Sequence, residues 1–356
     1  MSWFEDKRRV QKLMPNFDTP SRSFLENVIS DSRCFLCGQD AANQITKEHV
    51  FPKWLLKKHN LWDKQLTLLN GTYLRYRQLM IPCCDSCNCS HLSTLEGEIR
   101  TAVESGYDSC VKLDKVRVFQ WLGKIYYGII RKEVTLLHDR RSNSGQPILS
   151  EERLEELRAL HLLLQSIRRP MSFNGECPFS VLVVNLHDIN EERTYDFRDA
   201  LHPLVASLRT GTVGFIVAFE DAGLSQGSYG RYLNDVGGRK LHPIQFDELF
   251  AKVTYQASLM TRTPKFISSI PLVQDGEISI SMLPLAGLSS VPLLREWDQR
   301  DFAESFAQVL ETWEPWIGTQ SIDDPSFFTA PNCVRTWIHS PDGSLQFFDR
   351  ECLPLS

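Results

Sequence analysis

The sequence predicts an α+β protein in which a cysteine-rich N-terminal module precedes a larger, mixed α/β domain. Six of the ten cysteines lie between positions 34 and 89, and apolar runs typical of buried strands occur only in the second half. A chain of 356 residues is long enough to build one large core or two ordinary ones, and its length favours two. We therefore expect one domain over residues 1–110 and a second over residues 111–356.

Charge also divides the chain. Residues 1–135 contain 20 Lys and Arg against 15 Asp and Glu, whereas the remaining residues contain 19 against 29. The basic N-terminal part could bind a polyanion, and the acidic C-terminal part should not. No stretch approaches the roughly 18 apolar residues of a membrane span, and the first residues are charged where a signal peptide needs an apolar run. We expect a cytoplasmic protein with no membrane partner.

In the first module, the opening 30 residues predict an arm or a short helix. The dipeptide Asn70-Gly71 between apolar runs indicates a hairpin with a type I′ turn. A helix is expected to follow the last cysteines and to end at Gly106. At helical spacing, one face of this helix contains Asn88, His91, Leu92, Leu95 and Ile99.

The second domain begins with an apolar segment at residues 116–137, which predicts a helix buried on most sides. A loop at 142–147 and an amphipathic helix at 150–167, capped by Ser150, should follow. Two β-branched runs and one hairpin are expected further on. The runs are 179–186 and 212–219, and the hairpin is 334–349 with its turn at Asp342-Gly343.

Two cysteine pairs predict a structural zinc ion. Cys34-x2-Cys37 and Cys84-x2-Cys87 offer four thiolates, the number that a tetrahedral zinc site needs. A chain without a secretion signal favours metal binding over disulfides. The pairs are 46 residues apart, so the ion would join two ends of a unit. Cys83 could replace Cys84, although Cys84 preserves the two-residue spacing.

These residues resemble the signature of the HNH endonucleases, the ββα-metal or treble-clef nuclease family. Between the cysteine pairs, Glu48-His49-Val50-Phe51-Pro52 stands in the place of the family's acid-His-hydrophobic-x-Pro motif. Asn88 follows the second pair, where the family has His or Asn. The resemblance covers roughly residues 30–105. It implies a zinc-stapled ββα-metal module that hydrolyses DNA phosphodiester bonds, with RNA not excluded.

The resemblance also implies catalytic roles. His49 would be the general base, while Glu48 and the catalytic Asn88 would bind Mg²⁺ or Mn²⁺. His91 would be a third ligand or a phosphate contact. An imidazole accepts a proton near neutral pH, and a hard cation stabilises charge on the leaving 3′ oxygen. Neighbouring strand residues point to opposite faces, so we expect a bend or bulge there, prepared by Pro52.

Other roles are less defined by the pattern. The family's middle residue, which orients the base, could be Gln78 or Asn70. Glu96 could anchor the fold. Basic side chains near the motif are candidate phosphate contacts. They are Lys53, Arg75 and Arg77.

Three functions compete on the sequence alone. The first is a metal-dependent DNA endonuclease whose acidic domain serves regulation, recognition or assembly, through a protein partner or a second copy of the chain. By analogy, such proteins resemble bacterial antiviral defence effectors. The second is a non-catalytic zinc treble clef that binds nucleic acid or protein. The third places chemistry near Asp221, at the end of a predicted strand. The presence of both Glu48 and His49 favours the first.

Overall fold

The computed structural model describes most of the chain. The described ranges are 32–39, 45–133, 157–189, 194–269, 276–283, 290–313, 329–330, 333–334, 336–340 and 342–348. The predicted N-terminal arm, the loop at 142–147 and the Ser150 cap lie outside them. The α+β fold class is confirmed, with several small sheets and a buried cysteine cluster near the start of the chain.

Two antiparallel strand pairs build the first module. Strand β1 (Ile45–His49) pairs with β4 (Met80–Cys84), and helix α1 (Lys53–Lys58) follows β1. Strands β2 (Gln65–Thr67) and β3 (Tyr73–Arg75) form the predicted hairpin.

The hairpin turn differs from the prediction. Five residues connect β2 to β3, and only Gly71 in that loop has a positive φ, at 72°. A type I′ turn needs positive φ at two consecutive residues. The Asn70 side chain instead accepts a hydrogen bond from the Thr72 N–H at 2.9 Å, which closes a wider loop.

The helix after the second cysteine pair is confirmed, including its end. A π-helical turn (Ser86–Leu92) continues into α2 (Ser93–Ser105), and Gly106 follows with a φ of 92°. A positive φ suits glycine and stops a helix. Leu92, Leu95 and Ile99 of the predicted face are buried.

Helix α4 (Lys115–Glu133), which follows the short α3 (Tyr107–Cys110), is buried on most sides as predicted. It packs between the first module and a four-stranded antiparallel sheet with the strand order β6-β9-β8-β7. The strands are β6 (Ser180–Asn185), β7 (Tyr195–Ala200), β8 (Val205–Thr210) and β9 (Val213–Ala218). The two apolar runs predicted as buried strands are β6 and β9.

The remaining elements surround this sheet. Helix α5 (Arg158–Leu164) lies within the predicted amphipathic helix. Strand β11 (Ile278–Met282) is the middle strand of a small sheet, between β10 (Phe266–Ser269) and β5 (Met171–Asn174). The later elements are α6 (Leu224–Val236), α7 (Pro243–Ser258), α8 (Gln299–Leu310), β12 (Thr329–Ala330) and β13 (Cys333–Val334). None of the described helices is both long enough and apolar enough to cross a membrane.

The largest core is shared by both parts of the chain. One cluster of buried apolar residues extends from Cys34 to Ile280. Phe51 of the first module meets Phe197 of β7 edge to face, with ring centroids 5.2 Å apart. The boundary at residues 110 and 111 stays a prediction, because a shared core does not show whether either part folds alone.

His59 joins the first module to the four-stranded sheet. Its Nε2 lies 2.8 Å from the Thr210 hydroxyl, and its Nδ1 lies 3.1 Å from that of Thr194. Burial lowers the pKa of His59 to about 4, and the charges of Lys58 and Lys64 act in the same direction. The folded protein therefore holds this imidazole neutral.

We expect His59 to make stability depend on pH. A folded-state pKa below the unfolded value of 6.5 contributes stability that is present above 6.5 and is lost as the pH falls towards about 4. In His59→Gln the side chain does not titrate, so the advantage of the wild type should shrink as the pH falls through that window. Urea denaturation of both proteins at several pH values measures this. An advantage that stays constant with pH would contradict the assignment.

Candidate functional site

Four cysteine thiols form the candidate zinc centre. The Sγ atoms of Cys34, Cys37, Cys84 and Cys87 all lie within 4.8 Å of one another, and all four side chains are buried. Cys37 Sγ and Cys84 Sγ are 3.7 Å apart. Zinc–sulfur bonds of about 2.3 Å place the sulfurs of a tetrahedron roughly 3.8 Å apart. The donor set therefore fits a structural Zn²⁺ ion.

Cys83 is a neighbour of this cluster and not a member of it. It precedes Cys84 on β4, and its Sγ lies 3.9 Å from Cys34 Sγ. The hydrogen bond to Cys34 and burial both raise the pKa of the Cys83 thiol. A protonated thiol there can donate to the Cys34 thiolate. This resolves the alternative left open by the sequence in favour of Cys84.

Two side chains of the second half support the loop between Cys34 and Cys37. His161 Nε2 lies 3.2 Å from the Phe35 carbonyl oxygen, and the Gln165 amide donates to the Leu36 carbonyl at 2.9 Å. Both side chains are fully buried. Burial lowers the pKa of His161 to about 4, so a neutral imidazole occupies this place. The backbone between the first two cysteines is therefore fixed from outside the module.

A buried ammonium group holds the strand that contains the motif. Lys124 of α4 is 1 % exposed, and its Nζ donates to Glu48 Oε1 at 2.5 Å and to Glu96 Oε1 at 2.9 Å. It also donates to the carbonyl oxygens of His49 at 2.7 Å and Val50 at 3.1 Å. The three bonds to Glu48, His49 and Val50 fasten the end of β1 to a helix outside the predicted nuclease module, and the bond to Glu96 joins α2 to the same ammonium group.

The charges in this cluster depend on one another. Burial alone disfavours the Lys124 ammonium ion, but the carboxylates of Glu48 and Glu96 outweigh it and raise the pKa of Lys124. Burial raises the pKa of Glu96, which Lys124 opposes. The salt bridge agrees with the prediction that Glu96 anchors the fold. Glu48 thus has a structural partner in addition to its predicted role as a cation ligand.

Glu48 and His49 point to opposite faces of β1. The strand pairs with β4 in unbroken register up to His49↔Met80, so the bulge expected from the sequence is absent. The chain bends only at Val50 and Phe51. The bonds from Lys124 to the last strand carbonyls explain why the strand stays regular to its end.

His49 stacks on an indole ring. Its ring centroid lies 5.6 Å from that of Trp62, with an interplanar angle of 26°. Among the described residues, neither ring nitrogen of His49 has a hydrogen-bond partner. Burial lowers the pKa of His49, and Lys53 lowers it further while Glu48 opposes the shift. The imidazole is therefore neutral at about pH 7, the form that can accept a proton.

Asn88 lies on the same face of the strand as Glu48. Its Nδ2 donates to Thr46 Oγ1 at 2.7 Å, and Thr46 precedes Glu48 by two residues on β1. Because the amide nitrogen makes that bond, the Asn88 oxygen is left to act as an acceptor or ligand. His91 is half-buried, and burial lowers its pKa. Whether Asn88 and His91 bind a cation stays a prediction.

Both candidates for the middle orienting residue serve local turns. Gln78 accepts a hydrogen bond from the Arg75 N–H at 3.1 Å and so caps the short 3₁₀ turn after β3. The Asn70 side chain closes the hairpin loop. Each of these side chains is thus engaged in its own turn. The ring that stacks on His49 is that of Trp62.

The predicted phosphate contacts lie at the surface, but two of them share an acidic partner. Lys53 is exposed at the start of α1. Arg77 Nε is 2.8 Å from Asp63 Oδ1, and Arg75 Nη1 is 3.9 Å from the same atom. Such exposed pairs stabilise a protein by at most about 1 kcal/mol, so both arginines can exchange Asp63 for a phosphate.

The carboxylate of Asp221 has a structural role. It accepts hydrogen bonds from the Ser180 hydroxyl and from the N–H groups of Gly223 and Ser225. Burial raises the pKa of Asp221, which these donors oppose. The carboxylate thus closes the loop that leads into α6, and it gives no support to chemistry in the second half.

Sequence reasoning missed Lys124, His161, Gln165 and Trp62. Lys124 is the only charged residue between positions 118 and 130 of the apolar helical segment. This is a usable signal, because a buried lysine needs acidic partners. The other three act through contacts between distant segments and leave no local pattern.

Comparisons of the chain with protein-family models, with curated proteins and with solved structures found no match. The likeness to HNH endonucleases therefore rests on the motif residues themselves.

Cysteine replacements test the zinc centre. We expect Cys84→Ser to lose bound zinc and to unfold at lower denaturant concentration, because three thiolates cannot complete the tetrahedron. Cys83→Ser should retain one zinc ion per chain. Elemental analysis and urea denaturation of the purified proteins measure both effects. A Cys84→Ser protein that still holds one zinc ion would contradict the ligand set.

Removing the Lys124 ammonium should destabilise the fold. In Lys124→Met two buried carboxylates lose their shared partner, which costs about 3–5 kcal/mol of unfolding free energy. Urea denaturation measures the loss. Lys115→Met is the matched control, because Lys115 is exposed on the same helix and its replacement should change stability by less than about 0.5 kcal/mol. Equal effects of the two substitutions would rule out the role given to Lys124.

Proposed function

We propose that the protein is a metal-dependent endonuclease of the HNH type that hydrolyses phosphodiester bonds in DNA. The observation that carries this proposal is the setting of His49. It stands at the end of a strand stapled by the cysteine cluster, stacks on Trp62, and has no hydrogen-bond partner on its ring among the described residues. A neutral imidazole left open in this way suits a general base better than a structural histidine.

The surrounding charge supports a nucleic-acid substrate. Residues 45–80 contain seven Lys and Arg against two acidic residues. Both acidic residues, Glu48 and Asp63, are already paired with basic side chains. The segment therefore has a net positive charge, which suits binding to a phosphate backbone.

The donors for a divalent cation are oxygen atoms on one face of β1. Glu48 uses Oε1 for Lys124, which leaves Oε2, and Asn88 keeps its side-chain oxygen. Carboxylate and amide oxygens suit Mg²⁺ or Mn²⁺. When bound, such a cation would stabilise negative charge on the leaving 3′ oxygen. β1 ends at His49. A phosphate bound beyond the end of the strand could therefore be reached by His49 from one face and by a cation at Glu48 and Asn88 from the other.

In this reaction His49 takes a proton from the attacking water. Trp62 limits the rotation of the imidazole, and Lys124 fixes the backbone on which both His49 and Glu48 stand. Lys53, whose charge already acts on His49, is placed to hold a phosphate. The acidic second half would then serve regulation, recognition or assembly, and a cytoplasmic defence effector is one setting that fits such a nuclease.

One observation favours a second candidate, a non-catalytic zinc module that binds nucleic acid or protein. Glu48 is 8 % exposed and forms a salt bridge with Lys124, so its presence can be explained by the fold alone. The two candidates differ in whether purified protein breaks a phosphodiester bond.

Cleavage of supercoiled plasmid with and without Mg²⁺ or Mn²⁺ decides between them. We expect metal-dependent nicking by the wild type and a loss of about 100-fold or more in His49→Ala, because general-base catalysis contributes roughly that much. His339→Ala, which replaces a histidine far along the chain, is the control and should cut normally. Zinc content should be equal in all three proteins.

Glu48→Gln tests the cation ligand in the same assay. The amide can still accept a hydrogen bond from Lys124, and Glu96 still neutralises the ammonium, so the variant should fold with reduced stability while a charged ligand is lost. We expect the variant to need more Mn²⁺ for half-maximal nicking. A wild type that binds zinc and DNA but never nicks would leave the non-catalytic module as the function.

A further inference from the structure

The indole of Trp62 is exposed beside the candidate base. Trp62 is 36 % exposed, which makes it one of few large apolar side chains at the described surface, and its ring stacks on His49. Single exposed apolar residues are common and need no explanation by themselves. The position of Trp62 against His49, within a basic segment, is what distinguishes it.

The segment around Trp62 is held in place. The Trp62 carbonyl accepts a hydrogen bond from the Arg77 N–H at 3.3 Å, and the adjacent Asp63 binds the Arg77 side chain. The Lys64 carbonyl accepts from the Tyr76 N–H at 3.0 Å, just beyond the β2–β3 ladder. The backbone of this segment is thus held by hydrogen bonds and the indole rests on the His49 ring, so it can receive a flat ligand with little loss of conformational entropy.

We propose that Trp62 is a stacking platform for an unpaired nucleobase next to the scissile phosphate, so that the preferred substrate is single-stranded or locally opened nucleic acid. A base inside a duplex has both faces covered by its neighbours and cannot stack on a protein ring. Positive charge from Lys53, which acts on the neighbouring His49, suits a phosphate next to such a base. The position of this base next to the scissile phosphate rests on the proposed nuclease function. The stacking of a base on Trp62 does not depend on it.

Binding can be measured without cleavage. Fluorescence anisotropy with labelled single-stranded DNA, single-stranded RNA and duplex DNA is recorded without added Mg²⁺ or Mn²⁺ at low and moderate salt, with the full-length protein loaded with zinc. We expect the wild type to prefer the single strands. Trp62→Ala should weaken single-strand binding by roughly 5- to 150-fold, the range for loss of one base–aromatic stack, and should leave duplex binding unchanged.

Two further variants test whether Trp62 acts by stacking on a nucleobase or only by covering the His49 ring. Trp62→Phe keeps an aromatic face and should bind single strands almost as well as the wild type, whereas Trp62→Leu covers His49 without an aromatic face and should bind like Trp62→Ala. Ile267→Ala is the control, because Ile267 is 60 % exposed on β10 and lies outside the basic segment. Equal single-strand affinities of the Phe and Leu variants would overturn the proposal.

The two proposals can fail separately. If the wild type cuts plasmid but Trp62→Ala binds single strands as tightly as the wild type, the stacking platform is wrong and the nuclease proposal stands. If no protein cuts but the Phe and Leu variants differ as expected, the nuclease proposal fails and the nucleobase site stands. Comparison of the DNA and RNA arms identifies which sugar the site accepts.

Discussion

The four hydrogen bonds of the Lys124 ammonium group are the interaction on which the site depends. A charge this deeply buried is costly unless carboxylates and carbonyl oxygens surround it, and Glu48, Glu96 and the strand backbone supply them. The same bonds keep β1 regular to its last residue. They also link the cysteine-stapled module to α4, whose other sides pack on the four-stranded sheet. The motif residues are therefore positioned by the whole core and not by the zinc centre alone.

Local patterns predicted much of the fold. The spacing of the cysteines identified the four thiols that converge, and the glycine after α2 marked the end of that helix. The apolar run of α4 and the β-branched runs of β6 and β9 were recognised because burial on both sides leaves a continuous apolar sequence. Each of these features depends on residues close together in the chain, which is why the sequence contains enough information to predict them.

The rest depends on contacts between distant segments. The pairing of Lys124 with Glu48 joins positions 76 residues apart, and His161 reaches the Phe35 carbonyl across 126 residues. The hairpin turn was predicted wrongly because the Asn70 side chain bonds within a wider loop. The bulge expected at Glu48 and His49 is absent, so the regular strand leaves the two side chains on opposite faces. Sequence reasoning thus named the candidate residues but not their directions.

Gly128 allows α4 to pack closely against Val50 and Ile81 of the first module. A methyl group added there would lie 3.0 Å from a Val50 side-chain carbon and 3.2 Å from one of Ile81. Gly128 follows Lys124 by one turn on the same helical face. A larger residue would force the Val50 and Ile81 side chains, or α4 itself, to shift by a few tenths of an ångström, at the contact that holds the ammonium close to its acceptors. The lack of a side chain at Gly128 thereby permits the close contact that brings the Lys124 ammonium group within hydrogen-bonding distance of its acceptors.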